Sequence, residues 1–222
     1  MAIELAALLA RPVEDTLGRI RIDGLEHLRA AMDQHGRALL LTAHLGNWEL
    51  LPVACRLTGY RLSVVLRPLD APWLDRLATR MRERSGVDLI DKRAALRPVL
   101  RALAEGAMVG ILLDQNAARR EGVFVPFFGY SASTSKSLAV LAVRTGAPIV
   151  PAFIRRDDAG MHRVVVGPAL PPPSGDVEAA VTALTARCTE AIEAAVRETP
   201  EQWLWMHDRW RTRPLDDRAD SG

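Results

Sequence analysis

The sequence lacks any hydrophobic run that approaches the ~20 residues a helix needs to cross a bilayer. Its first ten residues have no basic region and contain Glu4, so they make a poor secretory signal peptide. We therefore expect a chain without a transmembrane helix. Residues 1–10 are interpreted as a short helix that packs on protein or, as the weaker alternative, on a lipid surface.

Cysteine is also scarce, because Cys55 and Cys188 are the only two in the chain. Each lies in an apolar stretch that is expected to be helical, and no Cys-x-x-Cys pair suggests a zinc or redox site. We interpret both as buried, reduced thiols. That interpretation favours a cytoplasmic environment.

Neither sign of charge dominates: 29 Lys and Arg face 27 Asp and Glu, for a net charge of +2. This balance is too mild to indicate a nucleic-acid partner. The 222 residues, 49% of them hydrophobic, suit one globular domain over residues 1–222. We expect a helical lead-in at 1–20 and a polar, frayed tail at 216–222.

Apolar strand-like runs alternate with helix-like runs along the chain. We predict strands near 38–43, 61–66, 87–91, 107–113, 148–154 and 161–167. We predict helices near 47–58, 72–85, 93–105, 134–145 and 176–197. The turn signal at 157–160 predicts a hairpin between the last two strands. The pattern therefore predicts an α/β fold: a mixed, largely parallel sheet flanked by helices on both faces.

Polar side chains follow four of these predicted strands. His44 follows the first, Arg67 the second, Asp91 closes the third, and Asp114 and Gln115 follow the fourth. Ligands of open α/β sheets gather beyond the carboxyl ends of the strands. The sequence therefore predicts a single site at this edge of the sheet.

His44 and Glu49 are the strongest candidates for chemistry. Five positions separate them, which is wrong for neighbours on one regular helix. The spacing instead suits a loop that enters a helix, with Gly46 allowing an unusual turn and Asn47 capping the helix. A neutral imidazole can accept a hydroxyl proton, and a carboxylate on its other nitrogen fixes the tautomer. The alternative is a surface His and a helix-start Glu that make no contact.

The segment 44–50, His-Leu-Gly-Asn-Trp-Glu-Leu, resembles the hallmark of the bacterial lipid A biosynthesis acyltransferases. These late, lauroyl/myristoyl-type enzymes belong to the glycerolipid acyltransferases, whose signature is His, four residues, then Asp or Glu. Further blocks resemble the same family, at 24–28, 67–69 with 74–75, 114–116, 122–129 with 132 and 134, 144–151 and 202–210. The resemblance covers about residues 20 to 214, so we expect the glycerolipid acyltransferase fold.

This resemblance implies a role for individual residues. It makes His44 the general base and Glu49 its partner, and it gives Arg67 charge-assisted hydrogen bonds to a phosphate or to the developing oxyanion. Asp114 would bind the acceptor's hydroxyls or orient an arginine. A surface ion pair for Arg67 and a structural role for Asp114 remain open.

Weaker candidates for substrate contact are Gln115, Asn47 and Thr134. Thr134 could equally cap the helix predicted at 134–145. The aromatic residues also have alternative roles. Phe124, Phe127 and Phe128 would line an acyl groove, help meet the membrane or pack in the core. Trp203, Trp205 and Trp210 would mostly pack, with anchoring at the lipid–water interface as the weaker alternative. His207 is expected to be structural.

The implied function is transfer of a fatty acyl chain from an acyl thioester, carried by acyl carrier protein or CoA, to a glycolipid hydroxyl such as that of a lipid A precursor. The resemblance implies no cofactor and no metal, with His44 as the base. It also implies peripheral contact with the cytoplasmic side of the bacterial inner membrane, and no nucleic acid.

One departure from the family concerns the start of the chain. Members usually carry a preceding membrane-anchoring helix, whereas this sequence begins close to the core domain, as a naturally short or truncated member would. Three alternatives stay open. They are an acyl-thioester hydrolase, a metallohydrolase that uses His44, Glu49 and Asp114, and a non-catalytic domain that binds lipid or a carrier protein.

Overall fold

A computed structural model describes residues 13–67, 72–171, 173 and 175–214. The strands are β1 (Ile20–Asp23), β2 (Ala38–Thr42), β3 (Leu62–Leu66), β4 (Asp88–Asp91), β5 (Met108–Leu112), β6 (Gly122–Phe127), β7 (Tyr130–Ser135), β8 (Ile149–Arg156) and β9 (His162–Val166). The α-helices are α1 (Val13–Leu17), α2 (Leu25–His35), α3 (Leu51–Cys55), α4 (Pro72–Arg84), α5 (Leu96–Ala104), α6 (Ser137–Thr145) and α7 (Val177–Glu198). Short 3₁₀ turns cover Trp48–Leu50, Lys92–Ala94 and Pro200–Gln202.

Seven strands form one sheet in the order β1-β9-β8-β2-β5-β3-β4. The five neighbouring strands β8, β2, β5, β3 and β4 all run parallel to one another. β9 runs antiparallel to β8, and β1 runs parallel to β9. β6 and β7 form a separate antiparallel hairpin. The predicted α/β fold with a mixed, largely parallel sheet is confirmed.

Hydrophobic clusters cover the two faces of the sheet. One contains Leu103 of α5, Leu138 of α6 and Leu184 of α7, and the other contains Met32 of α2 and Val53 of α3. The central strand β2 is apolar almost throughout because helices bury it on both sides. The loops at the edge of the sheet therefore extend from strands that are packed on both faces.

The six predicted strands, the helices at 72–85 and 176–197 and the hairpin turn at 157–160 are confirmed. The sequence does not predict β1, because this strand is only four residues long and partly polar. It does not predict β6 and β7, because they carry Pro126 and a run of small polar residues. The predicted helix at 47–58 is instead a 3₁₀ turn followed by a five-residue helix. Residues 1–12, 68–71 and 215–222 lie outside the described residues, and so do most of the lead-in and all of the predicted tail.

In the ranges that the structure describes, no helix combines the length and the hydropathy that crossing a bilayer requires.

The edge where β2, β5 and β3 end is closed by a segment that comes back from α7. We call residues 199–214 the C-terminal strap. The N–H of Gly46 donates to the carbonyl of Gln202 at 3.0 Å, and the N–H of Leu204 donates to the carbonyl of His44 at 3.0 Å. The strap is therefore bonded directly to the loop that follows β2.

Gly46 makes the turn of this loop possible, as the sequence predicts. Its φ is +57°, and an added Cβ would collide with the carbonyl oxygen of Ile154. Gly59 has a φ of +78°, but nothing lies within 4 Å of an added Cβ. An alanine at position 59 would therefore introduce backbone strain alone, whereas an alanine at position 46 would introduce both strain and a steric clash.

We expect Gly59→Ala to lower the free energy of unfolding by about 1–2 kcal/mol, the cost of a left-handed alanine. Gly46→Ala should cost distinctly more because the loop must also move away from β8. Chemical denaturation of the two variants beside the unmodified protein measures both values. Equal losses would show that the contact with Ile154 does not constrain the loop.

Candidate active site

His44 lies two residues beyond β2, and its side chain is 19% exposed. Its Nδ1 is 2.8 Å from Oδ1 of Asp114, and its backbone N–H donates to Oδ2 of the same carboxylate at 3.0 Å. A carboxylate at Nδ1 places the proton of the neutral ring on that nitrogen. Nε2 therefore carries the lone pair that a base needs.

Asp114 is almost fully buried, with 3% of its side chain exposed. Oδ2 accepts a third hydrogen bond, from Nε1 of Trp203 at 2.9 Å. Burial by itself would raise the pKa of Asp114, but the hydrogen bonds and charge of His44 and the indole of Trp203 outweigh it and hold that pKa below its ordinary value. Asp114 is therefore a carboxylate at neutral pH.

The predicted pairing of His44 with Glu49 is wrong. Glu49 instead forms a two-pronged ion pair with Arg82 of α4, with Nε to Oε2 at 2.9 Å and Nη2 to Oε1 at 2.5 Å. The guanidinium fork fits a carboxylate better than a single imidazole nitrogen does. Both side chains are about nine-tenths buried, so Glu49 braces the His44 loop against α4.

Asp114 reaches His44 because β2 and β5 are adjacent and in register. Thr42 pairs with Leu112, and the N–H of Leu113 donates to the carbonyl of Thr42 at 3.1 Å. The two strands end at the same level of the sheet, so His44 and Asp114, each two residues beyond its strand, lie next to each other. Asp114 thus orients the histidine, a role that differs from the acceptor contact or arginine contact expected of it.

Two other strand-end residues also lie at this edge. Arg67 is exposed directly after β3, two strands from His44, which corresponds to roughly 10 Å at the usual strand spacing. Asp91 accepts the N–H of Arg93 at 2.9 Å and so caps the 3₁₀ turn after β4. Among these strand-end groups, His44 and Asp114 are in direct contact.

The remaining candidates for substrate contact differ in burial. Gln115 is exposed beside Asp114. Asn47 is buried at the cap position of the 3₁₀ turn, but its side chain makes no capping hydrogen bond, contrary to prediction. Thr134 is fully buried in β7 and its hydroxyl is engaged by Arg209, so the predictions that it contacts substrate or caps α6 are wrong.

The C-terminal strap supplies site residues that the sequence did not identify as such. Trp203 bonds Asp114, and Nε2 of His207 accepts the N–H of Asn116 at 2.6 Å. Burial lowers the pKa of His207, as does the charge of Arg209, although Asp114 opposes them. His207 is thus held as a neutral ring that ties the strap to the loop after β5, consistent with a structural role.

Arg209 is a buried cation, only 1% exposed. It donates to the carbonyl of Ser133 at 2.8 Å and to the hydroxyl of Thr134, and its guanidinium lies 5.0 Å from the ring centroid of Phe127. Burial lowers the pKa of Arg209 to about 10, and it stays charged at neutral pH. Its hydrogen bonds fix the β6–β7 hairpin to the strap, and the charge of Asp114 partly offsets the lowering of the Arg209 pKa.

Phe127 belongs to the core and not to an open groove. It is fully buried, and its ring packs against Phe128, Trp203 and Trp210 with centroids 4.8 to 5.7 Å apart. Large exposed apolar side chains lie nearby, on the hairpin tip at Tyr130 (71%) and on the strap at Met206 (94%).

No cluster of three or more His, Cys, Asp or Glu side chains that could hold a metal ion occurs within the described part of the chain. The metallohydrolase alternative uses Glu49 as one of three metal ligands, but its carboxylate forms an ion pair with Arg82.

Comparisons with known proteins point to one family. The family model of the bacterial lipid A biosynthesis acyltransferases matches residues 1–212. The lipid A biosynthesis lauroyltransferase of Escherichia coli (strain K12) is 33% identical over 196 residues, which cover 86% of this chain and 61% of the relative. The palmitoleoyltransferase of the same strain is 28% identical over 203 residues, covering 89% and 63%.

A phosphatidylinositol mannoside acyltransferase of Mycobacterium tuberculosis (strain ATCC 25618 / H37Rv) is similar too, with 30% identity over 205 residues that cover 91% of this chain and 62% of the relative. The chain thus spans less than two thirds of the length of these relatives.

The low pKa of Asp114 makes a prediction about acid stability. A carboxyl whose pKa is depressed on folding stabilises the protein above its unfolded value, about 3.9, and this contribution is lost as the pH falls towards the folded value. We expect the difference in unfolding free energy between the unmodified protein and Asp114→Asn to shrink as the pH falls below about 5. Denaturation series at each pH measure it. A difference that grows as the pH falls below about 5 would contradict the ionised, hydrogen-bonded carboxylate.

Proposed function

The chain belongs to the bacterial lipid A biosynthesis acyltransferase family, and we propose that it transfers a fatty acyl chain from an acyl thioester to a hydroxyl group of a glycolipid. The observation that carries this proposal is the His44–Asp114 pair at the edge of the sheet, where the imidazole is partly exposed. It provides an oriented base with its lone pair on Nε2. The family's chemistry, removal of a proton from an alcohol, needs such a base.

In the proposed mechanism, Nε2 of His44 takes the proton from the acceptor hydroxyl. The oxygen of that hydroxyl attacks the thioester carbonyl. Asp114 stabilises the imidazolium that forms. The tetrahedral intermediate collapses with cleavage of the carbon–sulfur bond, and the imidazolium returns its proton to the departing thiolate. The ester and the free thiol leave, and His44 is again neutral.

Direct transfer is favoured over a covalent acyl-enzyme on a cysteine. Burial raises the pKa of Cys55 to about 11 and that of Cys188 to about 12, so neither is a thiolate at neutral pH. Both are enclosed among apolar side chains.

Arg67 is proposed to stabilise negative charge beside this base. It is exposed directly after β3, at the same edge of the sheet as His44. A guanidinium there can donate to the developing oxyanion or to a phosphate of the glycolipid. Gln115, exposed next to Asp114, is the second candidate for contact with the acceptor.

The acceptor class follows from the relatives, whose names place acyl chains on lipid A and on phosphatidylinositol mannosides. The shared feature is a glycolipid, and a lipid A precursor is our leading candidate. The donor is proposed to be a thioester of acyl carrier protein or of CoA, and no other cofactor is required.

Peripheral membrane contact is proposed at the same edge. Of the large exposed apolar side chains in the described structure, five lie at the carboxyl edge of the parallel strands or on the hairpin and strap beside it: Trp73, Leu96, Tyr130, Trp205 and Met206. The other two, Leu57 and Val177, lie at the opposite end of the sheet. Tryptophan and tyrosine suit the interface between lipid and water. This surface would face the cytoplasmic side of the inner membrane, where the donors are made.

Substitution of His44 tests the proposal. We expect His44→Ala to lower kcat by about 10²–10⁴-fold, the usual contribution of a general base. The assay supplies purified, folded protein with lauroyl thioester and a lipid A precursor, and measures acylated product by mass spectrometry.

The matched control is His35→Ala, because His35 is exposed at the end of α2, away from this edge. Transfer that continues at the original rate in His44→Ala would overturn the assignment. Thioester cleavage at full rate without any acceptor, and without an acylated product, would identify a hydrolase instead.

A further inference from the structure

We propose that Trp203 is a positioning residue of the transfer reaction: its indole N–H holds the Asp114 carboxylate in the orientation that braces His44. This inference rests on the proposed function. It assigns a task to the C-terminal strap, which lies about 160 residues from His44 in sequence but is bonded to it in space.

The first support is the arrangement of donors around the carboxylate. Oδ1 of Asp114 faces Nδ1 of His44 at 2.8 Å, whereas Oδ2 accepts the backbone N–H of His44 at 3.0 Å and Nε1 of Trp203 at 2.9 Å. Trp203 is therefore the only donor in the described structure that reaches Asp114 from outside the His44 residue. Without it, both remaining contacts belong to the group that Asp114 has to orient.

The second support is the burial of the two partners. Asp114 is 3% exposed and Trp203 is 4% exposed, so water cannot readily replace a lost indole donor. A buried carboxylate that loses a hydrogen bond pays the desolvation of that oxygen. It can recover only by turning, and turning would carry Oδ1 away from Nδ1 of His44.

The third support is the way the strap fixes Trp203. Trp203 forms an antiparallel bridge with Leu45, and hydrogen bonds on both sides of it tie the strap to Gly46 and to His44. Its ring packs edge-on against Phe127 at 5.5 Å and Trp205 at 4.5 Å. The indole is thus aimed at Oδ2 by the same loop that carries the base.

The hydrogen bond from Trp203 to Asp114 also affects the protonation of His44. An N–H donor stabilises a carboxylate more when fewer neighbouring cations share its charge. Arg209 and the ring of His207 act on this group whether or not His44 is protonated, whereas a protonated His44 adds one more cation. Trp203 therefore favours the neutral, proton-accepting form of His44 over the imidazolium. Removing the donor should move the acid limb of the kcat profile to higher pH.

The test compares Trp203→Phe with Trp210→Phe. Both remove an indole N–H and keep an aromatic ring, but Nε1 of Trp210 is buried with no hydrogen-bond partner in the structure. We expect Trp203→Phe to lower kcat about tenfold at unchanged KM and to shift the acid limb upward, because a hydrogen bond to a charged group is lost. Trp210→Phe should leave both unchanged.

Equal kcat values and equal acid limbs for the two variants would overturn the inference. So would a loss in Trp203→Phe that lies entirely in KM, or one that disappears when rates are corrected for the folded fraction. Those results would give Trp203 a packing role only.

A measurement on the unmodified protein covers the case in which Trp203→Phe fails to fold. The indole ¹⁵N–H resonance of Trp203 should move with pH through the protonation of His44, and this movement should disappear in His44→Ala. A resonance that does not respond to His44 would refute the link. Because this readout needs no substrate, it separates failure of the inference from failure of the proposed acyl transfer.

Discussion

The site depends on one buried carboxylate whose charge is satisfied from three directions. Asp114 receives the ring and the backbone of His44 and the indole of Trp203, all within 3.0 Å. A carboxylate buried without such donors would be protonated or would turn towards solvent. With them it stays ionised and holds the imidazole in the tautomer that leaves Nε2 free of a proton.

Three parts of the fold converge to make this arrangement. The register of β2 and β5 places the two loops side by side, the ion pair of Glu49 and Arg82 fastens the His44 loop to α4, and the strap closes the edge from above. Arg209 then locks the strap to the β6–β7 hairpin. Base, orienting acid and strap therefore form one connected unit, although they come from distant parts of the sequence.

Local patterns predicted much of this and failed where the chain crosses itself. Apolar runs located the strands of the sheet, and the turn at Gly46 and the position of His44 after β2 followed from a few adjacent residues. The partner of His44 did not, because the nearest carboxylate in sequence belongs to Glu49, whereas strand order places β5 beside β2. Nothing in the spacing of 70 residues between His44 and Asp114 reveals that adjacency, and the same holds for Trp203 and Arg209 on the strap. The prediction for Thr134 failed although it was local. A threonine before a helix is typical of a helix cap, but β7 includes Thr134 and ends one residue later, at Ser135.

The most direct test of this account compares Asp114→Asn with Glu49→Gln in the same transfer assay, with rates corrected for the folded fraction. The His44–Asp114 pairing predicts that Asp114→Asn lowers kcat by about 10²–10⁴-fold. It predicts that Glu49→Gln, which removes a brace, mainly lowers the unfolding free energy and keeps most of the turnover per folded molecule. A Glu49→Gln variant that is stable but inactive, beside an Asp114→Asn variant that still turns over at the original rate, would contradict it.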